Sequence, residues 1–148
     1  MFDSINVAKA SVGFGAGVIS FLWGEWSVFL TALIFFVTFD WITGLVAAWR
    51  NDELSAVEGF WGIARKFMIF GIVALAFQID IIYTELAGDP LSIGEFHLSV
   101  VGASVLYYLV NELISIAENL GKIGMRLPSP LMKAIKLFDD DDHKGGVA

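Results

Sequence analysis

Apolar positions in this chain come in long runs, with polar residues set singly inside them, and that pattern predicts spanning helices. The first run, residues 26–49, carries one charge, Asp40, and ends in Trp26 and Trp49. At 1.5 Å per residue it reaches roughly 36 Å, enough to cross a bilayer core with some tilt. The second, residues 67–87, contains Gln78 and Asp80 and is stopped by Gly88-Asp89-Pro90. The third, residues 98–118, is apolar to Val110 and then gains polar residues at three- and four-residue steps. These runs predict an all-α integral membrane protein with three transmembrane helices.

The shorter elements are predicted from punctuation. Residues 10–23 are apolar but brief and broken by Gly13, Gly15 and Gly17. Each interior glycine costs a helix about 1 kcal/mol relative to alanine, so an interfacial or re-entrant segment is expected there rather than a fourth crossing. Ser55 and Glu58 have capping-box spacing, which places a helix start near Ala56. That helix should lie along the interface through Phe60 and Trp61 and enter the membrane after Arg65 and Lys66. Beyond Gly121–Gly124, Ser129-Pro130 opens a short amphipathic helix with Leu131, Ile135 and Phe138 on one face and Lys133 and Lys136 on the other. Residues 1–138 then form a single membrane domain, and residues 139–148 an acidic, disordered tail.

Composition narrows the function. Of 148 residues, 57% are hydrophobic, and they lie in runs too long for a water-soluble core. Cysteine is absent, and His97 and His143 lie far apart, so disulfide chemistry and a metal site are not expected. A net charge of −7 argues against nucleic acid as a partner. The start, with Asp3 and a single lysine at Lys9, lacks the features of a signal peptide. Basic residues orient the spans. Arg50, Arg65 and Lys66 flank the first connection, Lys122, Arg126, Lys133 and Lys136 follow the third span, and residues 88–97 have none. A cytoplasmic C-terminus satisfies all three, in a multi-pass protein of the bacterial cytoplasmic membrane.

The candidate functional residues are polar groups inside the spans. A carboxylate at mid-membrane costs about 2.5–3.5 kcal/mol on insertion scales and needs a partner or water. Asp40 shares a helix face with Thr43, Gly44 and Ala47, where another helix can approach closely. Two accounts are open: a carboxyl bonded to a neighbouring helix of its own chain, or one facing a subunit contact or an aqueous lumen. In the third span Asn111, Glu112, Ser115, Glu118, Asn119 and Lys122 form a stripe, opposite Leu109, Leu113, Ile116, Leu120 and Ile123. Glu112 either marks the helix leaving the bilayer or belongs to a polar interface or pore mouth. Gln78 is a weaker candidate for the same polar face, and Asp80 sits close enough to the outer surface to reach water. No catalytic constellation, cofactor motif or phosphate loop is present, so an enzyme is not expected.

Three blocks carry a family resemblance: Phe39-Asp40-Trp41-Ile42-Thr43-Gly44; Gly59-Phe60-Trp61-Gly62-Ile63-Ala64-Arg65-Lys66; and Asn111-Glu112 through Gly121, followed by Pro128-Ser129-Pro130. In this order over residues 25–137 the chain resembles phage holins of the toxin-secretion/phage-lysis type. The resemblance implies a homo-oligomer among membrane lipid that opens lesions, with a cytoplasmic endolysin or large toxin as functional partner, ending in host lysis. The tail departs from the family's short basic ends through Asp139–Asp142. The alternative function is a small oligomeric channel or a membrane regulator that restrains another holin. Release of folded protein, rather than of ions, separates the first of these from a holin. Co-expression with an endolysin separates the second, because a restrainer delays lysis.

Overall fold

The computed structural model describes residues 2–24, 27–93 and 98–133. They form four long helices, α1 (Phe2–Trp23), α2 (Val28–Arg50), α3 (Ala56–Ala87) and α4 (Val100–Lys122), and residues 129–133 are helical as well. Among the described residues there is no strand, and one isolated antiparallel bridge pairs Ile93 with Leu98. The all-α class stands, but the count of spans is corrected. All four helices are long and apolar enough to cross a membrane, including the stretch Ile5–Trp23.

The interfacial reading of residues 10–23 fails because the glycine penalty belongs to water. In hydrocarbon an unpaired peptide group costs several kcal/mol, so a glycine-bearing apolar segment keeps its helix rather than open its backbone. Gly13, Gly15 and Gly17 touch nothing beyond their own helix. The second span is also longer than expected. α3 runs unbroken for 32 residues from Ala56, roughly 48 Å against a bilayer core of about 30 Å. Ser55 is its N-cap but its side chain makes no capping bond, so the expected box with Glu58 is not closed. The stop at Gly88, in the left-handed conformation, is as expected.

α2 packs chiefly on α4, along a line of buried residues that runs from Leu30 and Leu33 to Thr43 and Ala47. α3 lies on α4 but touches α2 much less. The main apolar cluster lies in one half of the bundle, where Leu33, Val37, Val73 and Val105 are buried, with Ile69, Phe70, Tyr108 and Leu109 around them. The outside is apolar as well: Phe29, Phe35, Leu75, Ile82 and Leu86 are all exposed, as suits contact with lipid.

Several helix ends are satisfied by side chains from neighbouring helices. Asp80 on α3 accepts hydrogen bonds from the backbone N–H of Val100 (2.9 Å) and Val101 (2.8 Å), while the Ser99 hydroxyl accepts from Gly102 N–H (3.1 Å). Those are the first three donors of α4, which no intrahelical acceptor can serve. Asp80 therefore closes the α3–α4 corner, and its negative charge faces the positive end of the α4 dipole. Asp80→Ala should cost about 2 kcal/mol, and Asp80→Asn less, because an amide oxygen still accepts one of the bonds. Denaturant titration in detergent reads both. At the other end of α4, Arg50 donates to the Ile123 carbonyl (2.7 Å).

α1 is fastened through its last turn. Gln78 donates to the Phe21 carbonyl (2.8 Å), and the Trp23 indole N–H donates to the Phe70 carbonyl (3.0 Å). Gly24 follows at φ 73°, and a Cβ there would lie 2.6 Å from the Phe77 ring. Gly24→Ala therefore meets both backbone strain and a clash, and a loss of more than about 1 kcal/mol is expected in the same titration.

Candidate functional site

Asp40, Lys66, Glu112 and Asn119 meet in the half of the bundle away from the main apolar cluster. Asp40 lies roughly 15 Å inside the Arg50 end of α2, and Glu112 at the same depth from the Lys122 end of α4. Both are buried. Between them comes Lys66 of α3, whose ammonium donates to Asp40 Oδ2 (2.6 Å) and to Glu112 Oε2 (2.5 Å). One cation thus bridges two carboxylates on two different helices.

The second oxygen of Asp40 is held from α4. Asn119 Nδ2 donates to Asp40 Oδ1 (3.0 Å), and lies 3.4 Å from the Asp40 carbonyl and 3.3 Å from the Thr43 hydroxyl. Thr43 donates its own proton to the Asp40 carbonyl (3.0 Å). Gly44 stands beside this amide, where a Cβ would come to 3.5 Å from Asn119 Nδ2, an ordinary contact. In the described chain Gly44 therefore faces a side chain of α4 rather than a second backbone, and a Cβ would fit beside it. No fully buried side-chain nitrogen or oxygen among the described residues lacks a partner.

With Asp40, Glu112 and Lys66 all ionised, the cluster carries one negative charge in excess. Removing ions from water costs several kcal/mol each, and close pairing must offset most of that. Mutual repulsion of the carboxylates is masked as long as Lys66 stays between them. The arrangement is consequently sensitive to the position of a single side chain.

A polar cleft of about 680 Å³ opens beside the cluster between α2, α3 and α4. Asn111, Ser115 and Lys122 line it from α4, Gly44 and Ala48 from α2, and Gly59, Gly62 and Arg65 from α3. Glu118 is exposed and is not part of this lining. Gln78 sits elsewhere, at the α1–α3 contact, and does not join the cluster. The division of α4 into opposed faces is corrected: Ile116 is buried together with Glu112 and Asn119, along the seam between the expected polar and apolar stripes.

Lys66 is the functional candidate that the sequence reading passed over, because a lysine at the start of an apolar run ordinarily snorkels to the interface. The available signal was charge balance. Asp40 and Glu112 each interrupt an apolar run, and Lys66 directly precedes the run 67–87.

Four apolar helices, three of them enclosing an ion cluster, with apolar residues presented outward, define a multi-pass membrane protein. A model of the bacteriophage holin family matches residues 17–140, and the chain belongs to that family. It is accordingly not an enzyme. A protein of Bacillus phage phi105 named "Probable holin" is 30% identical over 143 residues, which cover 97% of this chain and 90% of that protein. Uncharacterised proteins of Halalkalibacterium halodurans (38% over 136 residues; 92% and 96% covered) and Listeria innocua (41% over 137 residues; 90% and 89% covered) are also similar. No solved structure matches the chain.

Proposed function

We propose that the protein is a working holin of the bacterial cytoplasmic membrane. It assembles with copies of itself and opens lesions that let a cytoplasmic endolysin, or a large toxin, leave the cell. The observation that carries this reading is the bridge from Lys66 to Asp40 and Glu112 within the spans of a holin-family chain. An ion cluster with an uncompensated charge is costly in lipid and better served by water, so a state in which these groups line an aqueous lumen is within reach. Thr43, Gly44, Asn111, Ser115 and Asn119 extend the polar surface of that lumen, and Glu118 flanks it. Polar contacts between membrane helices average only about 0.6 kcal/mol. Many subunits must therefore add up before assembly outweighs mixing with lipid, which makes the onset abrupt.

With four crossings both termini lie on the cytoplasmic side, together with Arg50, Arg65, Lys122 and Arg126. The chain acts as one membrane domain; residues 134–148, with the end of the C-terminal amphipathic helix and the acidic tail, lie outside the described residues.

Inducible expression with and without a cytoplasmic endolysin tests the proposal. Abrupt loss of turbidity that requires the endolysin supports it, and unimpeded growth at every level of membrane-inserted protein refutes it. The cluster's net charge also lies within the membrane field, where one charge crossing the full potential is worth about 2.3 kcal/mol per 100 mV. An uncoupler added before the normal onset should bring lysis forward; unchanged timing would exclude the potential as the restraint.

A further inference from the structure

The first third of α3 is poorly held. Its buried residues, Val73, Ala74 and Ala76, all lie beyond the cluster, and none falls within residues 56–66. A Cβ added at Gly59 or Gly62 would meet nothing within 4 Å. One side of this segment faces the 680 Å³ polar cleft. Its other side reaches an apolar groove of about 360 Å³, lined by Val37, Thr38 and Trp41 of α2 and by Ile63, Phe67 and Phe70 of α3. Lys66 stands in the wall of both. Among the described residues, Lys66 also makes the segment's side-chain hydrogen bonds to α2 and α4.

We propose that residues 56–66 are a gate over the polar cleft, latched by Lys66 on Asp40 and Glu112 and pivoting on the packed stretch of α3 around Val73. When the ammonium withdraws, two buried carboxylates face each other without a counter-ion and draw in water. No buried apolar residue on the gate opposes its outward swing. α2 and α4 stay together, because their packing continues past the cluster to Ala47 and Ile116. Water then reaches Asp40 and Asn119 from the cytoplasmic end. The role of this motion in release rests on the holin reading; the motion itself does not.

The chain has no cysteine, so labels can be placed freely. Spin labels at Ala48→Cys and Gly62→Cys, on the α2 and α3 walls of the cleft, report its width by pulsed dipolar spectroscopy. The measurement is made in vesicles of phosphatidylethanolamine and phosphatidylglycerol. Labels at Leu75→Cys and Leu106→Cys, on α3 and α4 in the packed half, report the core. Wild type and Lys66→Arg should share one short cleft distance. In Lys66→Met it should lengthen by about 5 Å, one helical pitch, and broaden, with the core pair unmoved. An unchanged cleft distance in Lys66→Met overturns the gate. So does an equal shift of the core pair, because the whole bundle would then be loosening. Distances that shift as expected in a protein that never releases endolysin would refute the holin reading and leave the gate standing.

Discussion

Replacing Lys66 with methionine lowers the stability of the purified protein by about 3 kcal/mol and brings lysis forward. Breaking a buried ion pair by removing one partner costs about 3–5 kcal/mol, because the remaining charge is left uncompensated. Here two carboxylates are orphaned at once, both buried and both previously bonded to the same ammonium. The lower end of the range applies because the gate can swing aside and hydrate them. Denaturant titration in detergent measures the loss. The companion variant Lys66→Met/Asp40→Asn/Glu112→Gln, with no charge left in the cluster, should recover most of it. If the triple variant is no more stable than Lys66→Met, uncompensated charge is not what the lysine relieves. In cells, Lys66→Met should lyse earlier than wild type at equal expression, since its closed state has lost the latch.

Asp40→Leu should do the reverse. It leaves Lys66 and Glu112 as a matched pair, so the excess negative charge disappears and the closed bundle loses its reason to take up water. Asn119 keeps the Thr43 hydroxyl and the Asp40 backbone carbonyl within reach, and no charge is left uncompensated, because Lys66 still pairs with Glu112. Membrane insertion and stability should therefore be retained while lysis is abolished. Asp40→Asn preserves an acceptor for Asn119 and should delay lysis instead. A 1.4 kcal/mol shift toward the closed state is enough to reduce the open population about tenfold. Quantitative blots of the membrane fraction beside turbidity traces decide the matter. Early lysis by Asp40→Leu would exclude the excess charge as the driving element.

These opposite signs depend on a cluster that the sequence shows only in part. Asp40 and Glu112 stand out because each interrupts an apolar run, and lipid makes a lone carboxylate conspicuous. The grouping of Asp40 with Thr43 and Ala47 on one face also follows from helical periodicity alone, and the structure buries all three on α2. Asn119 belongs to the predicted stripe, although its partnership with a residue on α2 does not follow from any spacing within α4. Lys66 has no local signature at all. Its neighbours are those of a topogenic charge, and nothing short of the packing of α3 against α2 and α4 tells a latch from an anchor. Gln78 is polar within a span for a different reason: helix ends also need partners, and the Phe21 carbonyl is such an end.

Span length and apolarity determined by themselves that this is an all-helical membrane protein. Local polar and glycine signals also stop α3 at Gly88 and bring α2 and α4 to an end close to Arg50 and Lys122. Periodicity could further say which residues share a face. Tertiary structure decided that α1 is one more long helix, since the alternative to its glycine-weakened backbone bonds is set by the surroundings and not by the residues. It decided too that α2 pairs with α4 while α3 stands partly apart. That choice rests on summed packing and charge between segments distant in sequence, and it turned a lysine at the membrane edge into the bridge between two buried acids.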